Sequence, residues 1–151
     1  MPGAIGAALA RPGTTVVACI GDGALILSLG ELLTAVREGA DLVVVVFNDS
    51  SYGLIRRQQL LNFGRSVGTA LHNPDYAALA AAIGCSYFLT QGDLAVAMAS
   101  VAQTPGVRLV EVRLDDVPSL ARQGLKSVVR ERARQMLPDS AWQLLKRALR
   151  P

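Results

Sequence analysis

The chain has 151 residues, about the length of one domain, and 51% of them are apolar, enough for a packed core. Its net charge of +3 is unevenly placed: Leu120 to Pro151 holds eight basic residues against two acidic ones, and the remainder is net acidic. No apolar run reaches the roughly 18 residues needed to span a bilayer, and the basic stretch carries no nucleic-acid-binding motif, so membrane and nucleic-acid partners are not expected.

Met1 is followed by Pro2 and Gly3 without a basic stretch, so no secretory signal is expected. Ala4 to Ala10, rich in small residues, reads as a helix. Thr14 to Ile20 is β-branched and apolar between Gly13 and Gly21 and reads as a strand. Cys19 lies in it and Cys85 in a later apolar segment; both read as buried free thiols, which with the absent leader implies a reducing, cytoplasmic location. Ser28 to Gly39 reads as a helix, with Ser28 and Glu31 as a capping box, Leu32, Leu33 and Val36 as the buried face, and Gly39 as the stop. Leu42 to Phe47 is continuously apolar, as expected of a parallel strand covered on both faces.

Asn73-Pro74-Asp75 signals a helix start, with Asn73 as cap, and the helix runs through Tyr76, Leu79 and Ile83 to Gly84. His72, the single histidine, reads as a loop or capping residue rather than a general base. Ser86 to Thr90 is a short strand, Leu94 to Gln103 a helix, and Val107 to Val112 the last strand. The alternation predicts an α/β fold: three layers, α/β/α, around a mostly parallel sheet over residues 1–118. After Asp115-Asp116-Val117-Pro118 the character changes. Residues 119–151 read as a basic helical tail, Ser127 to Met136 and then a helix through Trp142 and Leu149, that docks a partner or covers the site.

The chemistry concentrates at two predicted strand ends: Gly21-Asp22-Gly23-Ala24, and Asn48-Asp49-Ser50-Ser51-Tyr52-Gly53. Open α/β sheets bind ligands at the carboxyl ends of their strands. Glycines let backbone amides approach a phosphate. A carboxylate beside phosphate oxygens needs a divalent cation between them, and magnesium favours hard oxygens from one or two carboxylates plus phosphate. Asp22 and Asp49 would supply the carboxylates, and a carbonyl in the Ser50-Ser51 turn a third oxygen. Gly-Asp-Gly alone reads first as a tight turn; its pairing with Asn-Asp at the next strand end gives it weight.

Gly21-Asp22-Gly23 and Asn48-Asp49, with the two aspartates 27 residues apart, resemble the cofactor motif of thiamin diphosphate (ThDP) enzymes. GDGALILSLGELLTAVREGADLVVVVFNDSSYGLIRRQQ, NPDYAALAAAIGC and AIGAALARPG resemble the acetolactate synthase, benzoylformate decarboxylase and pyruvate decarboxylase group, over roughly Ala4 to Val117. The resemblance implies that Asp22, Asp49 and the carbonyl of Ser51 ligate Mg²⁺, although many relatives carry Asn at the position of Asp49. It implies that Gly21, Gly23, Ala24, Tyr52 and Gly53 line the diphosphate, and that Leu54 and Ile55 face the thiazolium. Pyruvate decarboxylases carry a catalytic Glu at the position of Leu54, which sets this chain nearer the acetolactate synthase and benzoylformate decarboxylase side. Arg56 and Arg57 follow the site, as substrate-carboxylate binders or as a solvated helix face.

In that family the cofactor lies between two domains, and the other one supplies the glutamate that protonates the aminopyrimidine ring. No segment here corresponds to it, so no catalytic residue is expected in this chain. Nor does the chain reach the upstream apolar residue that props the cofactor in its bent form. Three arrangements remain open: one subunit of a split enzyme acting on a 2-oxo acid, in a hetero-oligomer built on dimers with a separate pyrimidine-binding subunit; a piece of a longer enzyme; or a non-catalytic ThDP- or partner-binding module. The first is the expectation carried forward.

Overall fold

A computed structural model of the chain describes residues 1–91 and 94–114. The element order is α1 (Pro2–Ala10), β1 (Val16–Gly21), α2 (Asp22–Leu27), α3 (Glu31–Arg37), β2 (Leu42–Asn48), α4 (Gly53–Phe63), α5 (Tyr76–Ile83), β3 (Ser86–Thr90), α6 (Leu94–Ala102) and β4 (Val107–Arg113). The predicted tail, Trp142 in it and the boundary at 118 lie outside the described residues.

The four strands form one sheet in the order β1-β2-β4-β3, every pairing parallel. Gly21 is in register with Phe47, and Asn48 with Arg113, so the motif-bearing ends of β1 and β2 lie side by side at one edge of the sheet. The α/β class is therefore as the alternation implied.

One face of the sheet packs against α1, α2, α3 and α5 through Ile5, Leu25, Leu32, Ala35, Leu42, Val44, Val46, Ala80 and Leu109. The other packs against α6 through Val43, Val45, Val101, Val110 and Val112. The unbroken apolar run of β2 is explained by these two cores, since alternate side chains enter each. In β1 the burial alternates, leaving Val17 about half exposed and Cys19 exposed. The expectation of two buried thiols is thus corrected. Cys19 points to a face of β1 that no described helix covers, and Cys85 is partly buried, with burial raising its pKa.

Two helix assignments also change. The helix expected over Ser28 to Gly39 is α3 alone, preceded by a separate α2. The Ser28 hydroxyl donates to the carbonyl of Ala24, so it closes α2 instead of capping α3, whose N-cap is Gly30 with no side-chain bond. At α5 the cap is Asp75, whose Oδ1 accepts from the amides of Ala77 and Ala78. Asn73 is released for another purpose, and His72 is an exposed loop residue. Gly84 closes α5 in the left-handed conformation at φ 87°, as its position implied. Among the described residues no helix is long and apolar enough to cross a membrane.

Candidate functional site

Gly21 ends β1, and Asp22, Gly23 and Ala24 form the first turn of α2. Asp22 is 1% exposed. A carboxylate this buried needs donors, and it has them: Oδ1 accepts from the Gly23 amide at 2.9 Å, and Oδ2 from Asn73 Nδ2 at 2.7 Å.

Beyond β2 the chain turns sharply. Ser50 sits at φ 52°, the only described non-glycine residue with positive φ. A left-handed serine is unusual and is held by its surroundings. Asn48 Oδ1 accepts from the Ser50 amide at 3.1 Å and from its hydroxyl at 3.3 Å. Asp49 Oδ1 accepts from the Ser51 amide at 3.1 Å. These local bonds are the Asx-turn pattern in two successive copies. The segment Thr69 to Leu71 closes over the turn: the Tyr52 amide donates to the Thr69 carbonyl, and the Leu71 amide to the Ser50 carbonyl.

Two glycines are dictated by close approach. A Cβ on Gly23 would lie 2.6 Å from the Tyr52 ring and 3.3 Å from Leu71. A Cβ on Gly53 would lie 2.5 Å from Asp49 Oδ2. Both glycines thus belong to the packing of the site, the first joining the two motif segments and the second setting Asp49 against the start of α4. Leu54 and Ile55 follow on α4 at 70% and 48% exposure, so within this chain they are an open rim. Arg56 and Arg57 are also exposed there.

The segments of Asp22 and Asp49 are linked through Asn73. Its Nδ2 donates to Asp22 Oδ2 and, at 2.8 Å, to Asn48 Oδ1. Asn48 Nδ2 then donates to Glu111 Oε1 at 2.8 Å, and the Tyr87 hydroxyl donates to Glu111 Oε2 at 2.5 Å. Arg113 Nε also donates to Glu111, at 3.0 Å. This polar row crosses the sheet in its spatial order, from the end of β1 through β2 and β4 to β3. Burial alone would raise the Glu111 pKa, but the donors Tyr87, Asn48 and Arg113 outweigh it and hold the pKa below the usual value. Tyr76, buried beside Asp22 and Glu111, has its hydroxyl pushed up to about 12 by burial and by those two negative charges.

Asn73, Glu111, Tyr87 and Tyr76 were not among the site residues expected from sequence. Asn73 has the same composition signal as a helix cap. Glu111 had a signal of its own, a charge inside the apolar strand Val107–Arg113, which requires partners when buried.

The donor set suits a hard divalent cation. Among the described residues no cluster of three or more His, Cys, Asp or Glu could cage a metal. A cation here would draw on Asp22, Asp49 and a carbonyl such as that of Ser51, and complete its shell with oxygens from a ligand or water, as magnesium does with phosphates. Beside Asp22, the buried Asn73 Oδ1 and Tyr76 hydroxyl have no hydrogen-bond partner among the described residues. Buried polar atoms are usually satisfied, so these two leave hydrogen-bonding capacity unused beside Asp22.

Comparison with known proteins agrees with this geometry. Residues 1–112 match the family described as "Thiamine pyrophosphate enzyme, C-terminal TPP binding domain". An acetolactate synthase of Bacillus subtilis is 41% identical over 86 residues, covering 57% of this chain and 15% of that protein. The acetolactate synthase isozyme 2 large subunit of Escherichia coli is 31% identical over 124 residues, covering 80% of this chain and 23% of that protein. The solved structure of a Rhodococcus jostii thiamine diphosphate-dependent 4-hydroxybenzoylformate decarboxylase superposes with a TM-score of 0.70 at 29% identity, over 79% of this chain and 23% of that one. The chain spans under a quarter of the length of these relatives. A parallel sheet with a glycine-flanked, buried aspartate at one strand end and an Asn-Asp turn at the next, matched over 112 residues, places this chain in the family of C-terminal cofactor-binding domains of thiamin diphosphate enzymes.

Proposed function

We propose that the chain is the ThDP- and Mg²⁺-binding subunit of a split 2-oxo acid decarboxylase or carboligase of the acetolactate synthase type, completed by a partner chain that brings the pyrimidine-binding, glutamate-bearing domain. The observation that carries this reading is the coupling of the two motif segments: buried Asp22 and the Asp49 turn occupy adjacent strand ends and are tied together through Asn73 and Asn48.

In this reading Asp22, Asp49 and the Ser51 carbonyl hold the magnesium ion, and the backbone around Gly23, Ala24, Tyr52 and Gly53 receives the diphosphate. ThDP, when bound, supplies the electron sink that makes loss of carbon dioxide from a 2-oxo acid feasible; the protein contributes binding, orientation and electrostatics. The chain places no acid or base at Leu54 or Ile55, so proton transfer falls to the partner. The apolar exposure of α4 supports such a partner: Leu54, Ile55, Leu60 and Phe63 lie between 46% and 74% exposed, and no residue of the helix is buried. The small share of each relative that the chain covers also favours a second reading, a piece of a longer enzyme of the same chemistry.

ThDP affinity measured calorimetrically with magnesium and with EDTA tests cofactor binding. Asp22→Ala and Asp49→Ala should each lose the magnesium-dependent part. Decarboxylation of 2-oxo acids by the chain alone, and mixed with the product of a neighbouring gene, tests the split arrangement. Activity confined to the mixture supports it. Magnesium-dependent binding without activity in any mixture leaves a cofactor-binding module, and no binding at all refutes the proposal.

A further inference from the structure

We infer that Asn73 is a positioning residue for the divalent cation, a clasp that fixes the orientation of Asp22 relative to the Asp49 turn. The inference rests on the cofactor reading above and deepens it.

The chemistry of the row leaves Asn73 only one orientation. Ionised carboxylates accept hydrogen bonds and do not donate. Glu111 therefore faces the Asn48 amide nitrogen, which turns Asn48 Oδ1 toward Asn73. Asp22 likewise faces a nitrogen. With acceptors on both sides, Asn73 must present Nδ2, and each of its two hydrogens has a destination, at 2.7 Å and 2.8 Å. The two carboxylates at the ends, Asp22 and Glu111, thus set the sense of both amides between them.

This arrangement has consequences for Asp22. Its carboxylate cannot rotate without breaking a bond to Gly23 at one oxygen or to Asn73 at the other. Each carboxylate oxygen keeps a second lone pair, so the clasp orients the group without exhausting it. The same Nδ2 grips Asn48, whose oxygen also holds Ser50 in its left-handed conformation. Asn73 therefore fixes Asp22 and, through Asn48, the turn bearing Asp49 and Ser51. It does so from the loop ahead of α5, a segment outside both motifs. Outer groups that orient metal ligands typically change metal affinity by about 10- to 100-fold when removed.

A clasp of this kind makes a prediction about which metal suffers. Magnesium demands near-ideal octahedral geometry with bonds of about 2.0–2.1 Å, whereas calcium accepts six to eight oxygens at about 2.3–2.6 Å in flexible arrangements. Loosening Asp22 should harm magnesium far more than calcium. A role confined to holding the fold together would weaken both alike.

The test measures ThDP binding by calorimetry in the presence of magnesium or of calcium, for the full chain, Asn73→Ala and Asn73→Ser. Asn73→Ala should lose on the order of tenfold or more in magnesium-supported affinity and clearly less with calcium. Asn73→Ser, which keeps a hydroxyl donor, should recover part of the magnesium-supported affinity. Equal losses with the two metals, or no loss, overturn the clasp while leaving the cofactor reading intact. An unmutated chain that binds ThDP with neither metal overturns both. If Asn73→Ala does not fold, the serine variant decides alone: a selective loss with magnesium supports the clasp, and parallel or absent losses overturn it.

Discussion

At the scale of single residues, the site is controlled by contacts too close for substitution. Gly53 is the clearest instance. It opens α4, where alanine in place of glycine would favour the helix by up to about 1 kcal/mol. Its Cβ would also stand 2.5 Å from Asp49 Oδ2, so the carboxylate must swing away. The two effects act on different observables. Gly53→Ala should leave the unfolding free energy from urea denaturation within about 1 kcal/mol of the parent while removing most of the magnesium-dependent ThDP affinity, as titration would show. Tyr87 acts on stability instead. Its hydroxyl is one of the donors holding the Glu111 pKa below its ordinary value against the opposing pull of burial. A carboxylate with a depressed folded pKa contributes stability that is fully present above its unfolded pKa, about 4.5, and that is lost as pH falls through the folded value. Tyr87→Phe should therefore cost about 1 kcal/mol at pH 7 and raise the folded pKa of Glu111. The stability gap between the two proteins should narrow as the pH drops below about 4.5 and the carboxylate of Glu111 takes up its proton. Denaturant melts at several pH values check this, and a gap constant with pH would assign the hydroxyl to packing alone.

At the scale of elements, boundaries follow from which backbone groups a side chain chooses to satisfy. Asp75 caps α5 with a single oxygen shared by two amides, and its charge sits at the positive end of the helix. Asp75→Ala should cost about 1 kcal/mol, and Asp75→Asn much less, by urea denaturation. The sequence pointed to a cap within Asn73-Pro74-Asp75 and to the wrong residue of it, Asn73, because both side chains can cap and only the tertiary neighbours Asp22 and Asn48 claim Asn73. The strands β2, β3 and β4 were legible within a residue or so, β2 because a parallel strand buried on both faces writes a continuous apolar run, and β3 and β4 from their β-branched and aromatic residues. The helix boundary near Ser28 was not. Asp22–Leu27 is apolar enough to pass for the end of a strand, and Ser28 turns back to Ala24, a choice that a capping pattern does not reveal. Helix α4 was read only as a possible face for Arg56 and Arg57, because apolar and polar residues mix along it and none is buried to set a stripe. In the candidate site, the placement of Asp22, Asp49 and their flanking glycines at adjacent strand ends was legible from motif spacing. The supporting row through Asn73 and Tyr87 was not, because its members are far apart in sequence and meet only when the sheet adopts the order β1-β2-β4-β3.

At the scale of the whole molecule, the sheet is unevenly covered by the described residues. Four helices lie on one face and α6 on the other, while Val17 and Cys19 on β1 and the apolar residues of α4 remain open to solvent. Phe63 is 74% exposed and Leu60 46%. Side chains this open contribute little to the fold of the chain itself, and surface changes usually shift stability by no more than about 0.5 kcal/mol. Burying a large apolar side chain in a partner surface is worth about 1.5–3 kcal/mol, equivalent to roughly 10- to 150-fold in a dissociation constant. Phe63→Glu and Leu60→Glu therefore separate the two roles. Each should melt like the parent protein and bind ThDP with magnesium unchanged, because neither touches the Asp22–Asn73–Asn48 row. If a partner domain covers α4, each should need at least tenfold more of the partner chain to reach half-maximal decarboxylation of a 2-oxo acid. Half-maximal concentrations unaltered by both substitutions would show that the partner sits elsewhere, and a drop in magnesium-dependent ThDP affinity would show that α4 shapes the cofactor site directly.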